Sequence, residues 1–180
     1  MTEKRTSPSS PTPKLEAIIL LGHGSRVPEA GKDMLRVARR LREKYGYSLV
    51  EVCFMSRLGP HFPEIFEKCV QQGADRVVVI PYFLHSGLHI LLDIPEMMKE
   101  EAQKFPGVQL VFGKSLGFDE SLVDLVNNCV QASETCCDVR DLVLPPKEKY
   151  PIPPGQQEFV PMDPEEAAVY RKNGNGQHPH

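Results

Sequence analysis

Residues 15–26 read LEAIILLGHGSR and residues 76–89 read RVVVIPYFLHSGLH. Both open on a short apolar run and close on glycine and histidine. Runs of that length, rich in Ile, Leu and Val and without polar alternation, are strands buried on both faces. The segment after each run decides the sheet. After the first, Met34, Leu35, Ala38 and Leu41 recur at helical spacing through residues 28–45, with Arg and Lys between them and Gly46 as the stop. After the second, Ile94–Phe105 reads as a helix with Pro95 in its first turn. Residues 48–54 (SLVEVCF) and 108–112 (VQLVF) are two more strands. Residues 62–72 form a helix stopped by Gly73, and 119–132 a helix with Asp119 as candidate N-cap.

Strands alternating with helices require a parallel sheet with helices on both faces. Each crossover is right-handed. The expected architecture is a flavodoxin-like α/β fold with strand order 2-1-3-4. In that order the first and third strands are neighbours, and the helices after them leave to opposite faces. The crevice at their carboxyl ends is where ligands bind.

The rest of the chain adds no second core. Eight of the 17 prolines fall in residues 134–180, which include LPPKEKYPIPPGQQEF. A segment so poor in apolar residues cannot bury a core of its own. The expected organisation is a disordered tail over 1–14, a folded unit over 15–133 and a proline-rich, largely disordered extension over 134–180. One short helix is expected within that extension, from Asp163 to Lys172. The formal net charge of −3 argues against a nucleic-acid partner. No apolar run approaches the ~20 residues that span a bilayer. The polar first fourteen residues have no apolar signal core, so the expected location is cytoplasmic. Five cysteines, an odd number, argue against a disulfide framework.

The topology brings His23, after the first strand, and His89, after the third, to one crevice. Taken singly, each is an ordinary loop histidine. Together they offer two imidazoles, which suit Co, Ni, Fe and Zn and also accept protons near neutral pH. The glycines flanking His23 allow a sharp turn and a close-lying flat ligand. Ser25, Arg26 and the amides that open the next helix can hold an anion. His85 shares a face with His89 only if the segment is helical, and Gly87 argues against that. His61 reads as a surface residue, and His178 and His180 lie in the tail. Cys129, Cys136 and Cys137 do not have the spacing of a zinc or iron–sulfur ligand set.

The motifs GHGSR (22–26) and FLHSGLHILLDIP (83–95) resemble those of the short-form sirohydrochlorin chelatases. These enzymes insert cobalt for cobalamin or iron for siroheme. The resemblance covers residues 15–130. It implies a chelatase-type fold, a homodimer and His23 and His89 as the metal-binding and proton-accepting pair. It implies sirohydrochlorin and a divalent metal as substrates, with Co2+ favoured over Fe2+ or Ni2+, and no permanently bound cofactor. Gly24, Ser25, Arg26, Arg57, Leu84, Ser86, Gly87 and Leu88 are the residues expected around the macrocycle. Asp93, in the DIP triplet, is expected to cap the third helix. Relatives often carry a carboxylate after the second strand, where this chain has Arg57 and none. That change suits an acetate or propionate of the macrocycle better than a metal. Two other classes fit the histidines: a metal carrier or sensor without catalysis, and a phosphoryl-transfer enzyme with His23 as nucleophile.

Overall fold

In the computed structural model, residues 15–149 are described, apart from Ser86 and the side chains of Pro28, His89 and Lys147. The apolar run Leu15–Gly22 forms β1, the inner strand of a four-stranded parallel sheet. Leu49–Phe54 (β2) and Ala74–Pro81 (β3) flank it, and Gln109–Phe112 (β4) lies outside β3. The order β2-β1-β3-β4 is the one expected from the pattern. Register places Ile19 beside both Glu51 and Val79, so the middle of β1 sits between two neighbours.

The two faces of β1 feed two cores, because successive side chains of a strand point to opposite sides. Ala17, Ile19 and Leu21 join the larger core with Phe62, Ile65, Phe66 and Cys69 of α2 (Phe62–Gln71) and Ile94 and Met98 of α3 (Ile94–Lys104). Phe66 anchors it. Its ring stacks on Phe62 at 5.6 Å and meets Phe105 edge-on at 5.4 Å. Ile18 and Leu20 face the other way, onto Met34 and Ala38 of α1 (Lys32–Tyr45). Gly46 ends α1 in the left-handed conformation, φ 74°, which glycine adopts without a Cβ penalty.

Three details depart from the sequence expectation. The helix expected from Pro28 begins as a 3-10 turn, Pro28–Gly31, and becomes α only at Lys32. The helix expected from Ile94 is preceded by a π turn over His89–Asp93. The carbonyl of Gly87 starts this segment by accepting from Ile90 N at 3.0 Å and Leu91 N at 3.2 Å. Pro95 has no N–H for the usual backward bond, and the wider turn before it absorbs the missing rung. Asp93 is therefore helical (φ −65°, ψ −44°) and makes no side-chain cap, contrary to the role expected of it. Third, α4 (Glu120–Ala132), whose N-cap Asp119 accepts from Ser121 N at 2.9 Å as anticipated, carries no buried residue. The α1 face of the sheet is consequently only part-covered.

By backbone packing the chain divides into Met1–Asp141 and Leu142–His180. In the first, two further 3-10 turns come after α4, at Ser133–Thr135 and Val139–Asp141. In the second, the described residues 142–149 are irregular and end in the 3-10 turn Lys147–Lys149. The helix expected at Asp163–Lys172, the tail histidines and residues 1–14 lie outside the described residues. Among the described residues, no helix is long and apolar enough to cross a membrane.

Candidate metal and macrocycle site

The carboxyl ends of β1 and β2 do not separate where the strands stop. Met55 N donates to the Gly22 carbonyl at 2.9 Å, and Ser56 N to the His23 carbonyl at 3.1 Å. The Ser56 hydroxyl donates to the same carbonyl at 3.0 Å, and Leu58 N to the Ser25 carbonyl at 3.4 Å. The loop after β2 is thus zipped along the GHGS segment, and the His23 backbone is held by two donors from one residue. Gly24 makes this approach possible. Its φ is +98°, and a Cβ there would lie 1.9 Å from the Ser56 carbonyl oxygen. The neighbouring loop therefore requires glycine at this position.

A cavity of about 340 Å3 opens at this end of the sheet, lined by His23, Ser25, Lys32, Phe54, Leu58 and Tyr82 among others. His23 is exposed at its rim. Its Nδ1 lies 3.4 Å from the Gly24 carbonyl, a long contact that favours the tautomer with the proton on Nδ1. In that tautomer Nε2 carries the lone pair, which can bind a metal or take a proton.

The residues expected around a ligand lie on three loops, and of them Gly24 and Ser25 line the cavity with His23. Arg26 is exposed just past His23, and the Ser25 hydroxyl accepts from Val27 N at 3.0 Å, closing a local turn. Arg57 is exposed on the loop after β2, at φ 70°, an unusual left-handed conformation for a residue with a side chain. Leu84 and Leu88 are 51% and 66% exposed in the segment after β3, with Leu91 and Leu92 similarly bare beside them. Leu58 is 48% exposed across the crevice. Exposed leucines on such loops offer apolar contact to a ligand. Phe83, by contrast, packs against the larger core. His89 opens the π turn after this segment, at the same end of the sheet as His23, and Gly87 supplies that turn's first acceptor. Ser86 lies outside the described residues.

Two histidines take other places. His85 is exposed and precedes the helical segment, so it shares no helix face with His89. His61 is exposed at the start of α2, where its Nδ1 is 3.2 Å from the Phe54 carbonyl. Lys32 and Tyr82 line the cavity although the sequence did not single them out. Tyr82 follows β3, which ends at Pro81. Its N–H still bonds to the Leu21 carbonyl at 2.8 Å, which places the residue at the switch point. Lys32 is found only by knowing that the α-helix starts there. Among the described residues, no group of three or more His, Cys, Asp or Glu gathers in metal-ligating geometry.

Comparison with known proteins gives these features a family. Residues 17–133 match the family model CbiX. The chain is 38% identical over 116 residues to the chloroplastic sirohydrochlorin ferrochelatase of Arabidopsis thaliana, aligning 64% of this chain with 52% of that one. It is 29% identical over 136 residues to the sirohydrochlorin cobaltochelatase of Methanococcus aeolicus, aligning 62% of this chain with 95% of that one. Among solved structures, the sirohydrochlorin chelatase of Bacillus subtilis subspecies spizizenii in complex with cobalt superposes with a TM-score of 0.61 at 31% identity. That match takes in 65% of this chain and 50% of the other. The chain thus spans about half the length of the Arabidopsis and Bacillus relatives. With the family model matched over most of the sheet and its helices, the chain belongs to the CbiX family.

Proposed function

We propose that this protein inserts a divalent metal into sirohydrochlorin. The observation that carries the reading is His23, exposed on a backbone locked by Gly24 and Ser56, at the rim of the crevice that the sheet order creates. Insertion replaces two pyrrole N–H protons by one M2+ ion, so the reaction needs a base, a metal held near the ring and a macrocycle held still. His23 binds the entering metal through Nε2, and His89 shares ligation or takes a pyrrole proton. One imidazole nitrogen cannot do both at once, which is why two histidines are needed. Leu58, Leu84 and Leu88, with Gly87 between the last two, offer the ring an apolar seat. Gly24, Ser25, Arg26, Arg57 and Ser86 meet its polar rim, where an Arg–carboxylate pair supplies orientation as well as charge. The metal is a substrate, and the scheme requires no resident cofactor.

Cobalt is the metal we assign first, supported by the Methanococcus cobaltochelatase, which this chain matches over nearly its whole length. Iron is the second reading, favoured by the higher identity to the Arabidopsis ferrochelatase. Nickel is the third metal to assay. The working particle in this reading is a homodimer, supported by relatives in which the matched unit makes up about half of the chain. Purified protein, in catalytic amount, is mixed with sirohydrochlorin and Co2+, Fe2+ or Ni2+, and kcat/KM is compared. Turnover with cobalt highest is expected. His23→Ala and His89→Ala should each abolish insertion while keeping the far-UV circular dichroism. Metal binding without turnover would make the protein a carrier instead.

A further inference from the structure

The cavity beside His23 holds about 340 Å3. Ligand pockets run from about 300 to 1,000 Å3, so this one lies at the small end. It receives a part of a macrocycle rather than the whole ring. Its walls are mostly apolar, with Val27, Met34, Val52, Phe54 and Leu58 among them. Among the described residues that line it, Lys32 is the one lysine or arginine, and none is a carboxylate.

Lys32 opens α1 and is exposed. Three later cations of that helix are paired. Arg36 meets Asp33 at 3.1 Å, Arg40 meets Glu43 at 3.0 Å, and Arg39 meets the same Glu43 at 3.7 Å. Among the described residues, Lys32 has no such partner. The backbone beside it is already engaged: Ala30 N donates to the Val27 carbonyl at 3.1 Å, and Lys32 N to the Glu29 carbonyl. The group available to an anion here is therefore the Lys32 side chain.

Ser25 and Tyr82 line the same cavity and bring hydroxyls, which donate to a carboxylate. Both are held by strand-like bonds. Leu58 N donates to the Ser25 carbonyl at 3.4 Å, and Tyr82 N to the Leu21 carbonyl at 2.8 Å. One cation and two hydroxyls among apolar walls match one kind of group, a short methylene chain that ends in a carboxylate.

We propose that this cavity takes one carboxylate arm of the macrocycle and that Lys32 anchors it, fixing which edge of the ring faces His23. This rests on the sirohydrochlorin reading above and adds a specificity-determining residue to it. Arg26 and Arg57 stand on exposed loops and do not line the cavity, whereas Lys32 is carried by a helix. A site built to bind a charged arm rejects a ring whose arm is neutral, because the cation is then left without its partner.

The test follows binding of metal-free sirohydrochlorin to the full chain by fluorescence, beside kcat and KM for insertion and the binding of Co2+ alone. Lys32→Gln should raise Kd and KM for sirohydrochlorin about tenfold or more, the scale of a hydrogen bond to a charged group. It should keep kcat, Co2+ binding and circular dichroism. Lys32→Arg should restore most of the loss. Added NaCl should weaken binding more steeply in the unsubstituted chain than in Lys32→Gln. Lys44→Gln removes the same charge from the far end of α1 and should leave Kd unchanged. Sirohydrochlorin with its carboxylates methylated should bind the unsubstituted chain and Lys32→Gln alike. If the unsubstituted chain inserts metal and Lys32→Gln keeps its Kd and KM, the arm site is overturned and the chelatase reading stands. Equal losses in Lys32→Gln and Lys44→Gln would show a general effect of charge and also overturn the arm site. A chain that neither binds nor metallates sirohydrochlorin overturns both readings.

Discussion

Gly24 and His23 show how a functional side chain is aimed by its neighbours' backbone. The imidazole is exposed, and a free loop would let it wander; the two bonds from Ser56 to the His23 carbonyl prevent that. Gly24→Ala would force a Cβ into the Ser56 carbonyl and strain a positive φ. A strained backbone of this kind costs about 1–3 kcal/mol before any clash is counted. The expected result is a lower urea midpoint and loss of metal insertion together, measured on the same preparation; unchanged activity would separate the loop from the site. The cysteines make a second case. Burial pushes the Cys53 thiol far up, with the neighbouring Cys69 adding to it. Burial also raises Cys69, with Glu51 adding and Lys68 opposing, to about 11. Both therefore stay neutral thiols at pH 8, while Cys129, Cys136 and Cys137 are exposed. Iodoacetamide at that pH should label Cys136 and Cys137 and spare the buried pair, as read by peptide mass spectrometry. Because the folded value of Cys69 lies above the ordinary 9.0, its share of stability holds below pH 9 and is lost as pH climbs toward 11.

Elements were legible wherever a local signal set them. The strand runs, the glycine stop of α1 and the Asp119 cap are all local, and all appear in the structure. The cap carries its own pH signature. Hydrogen bonds from the Ser121 hydroxyl and amide hold the Asp119 carboxyl below its usual 3.8, so the cap stabilises α4 above that pH and fails as pH falls through the lowered value. Amide exchange in the first turn of α4 should accelerate on acidification, and Asp119→Ala should show the fast rate already at neutral pH. The start of the third helical segment was not legible. Pro95 and the DIP triplet mark a helix start in sequence, but the bonds to the Gly87 carbonyl begin the coil earlier. The reason for Gly24 was hidden for a related cause, since it depends on a carbonyl 32 residues away that only the β1–β2 pairing brings near. Likewise, an amphipathic pattern says that α4 needs a partner and not which surface supplies it.

At the scale of the molecule, the segments that carry His23 and His89 follow neighbouring strands because sheet order, not sequence distance, decides what shares one end of the sheet. That order was readable from the alternation of strands and helices, and with it the crevice at the carboxyl ends of β1 and β3. The same scale governs what the extension contributes. Every buried hydrophobic residue among those described lies between Ala17 and Met98, and the part-buried ones packed on the two cores end at Leu110. The backbone divides after Asp141, beyond the last turn of α4. Residues 142–180 hold many prolines, and none of the described ones among them is buried. A chain ending at Asp141 should therefore unfold cooperatively at nearly the temperature of the full chain. For a domain of this size, a loss of about 1 kcal/mol lowers Tm by roughly 2–8 °C. Calorimetry of both lengths at equal molar concentration resolves such a shift. A larger fall would mean that the extension packs on the core. If Tm holds but kcat/KM for metal insertion falls, the extension reaches the crevice without supporting the fold.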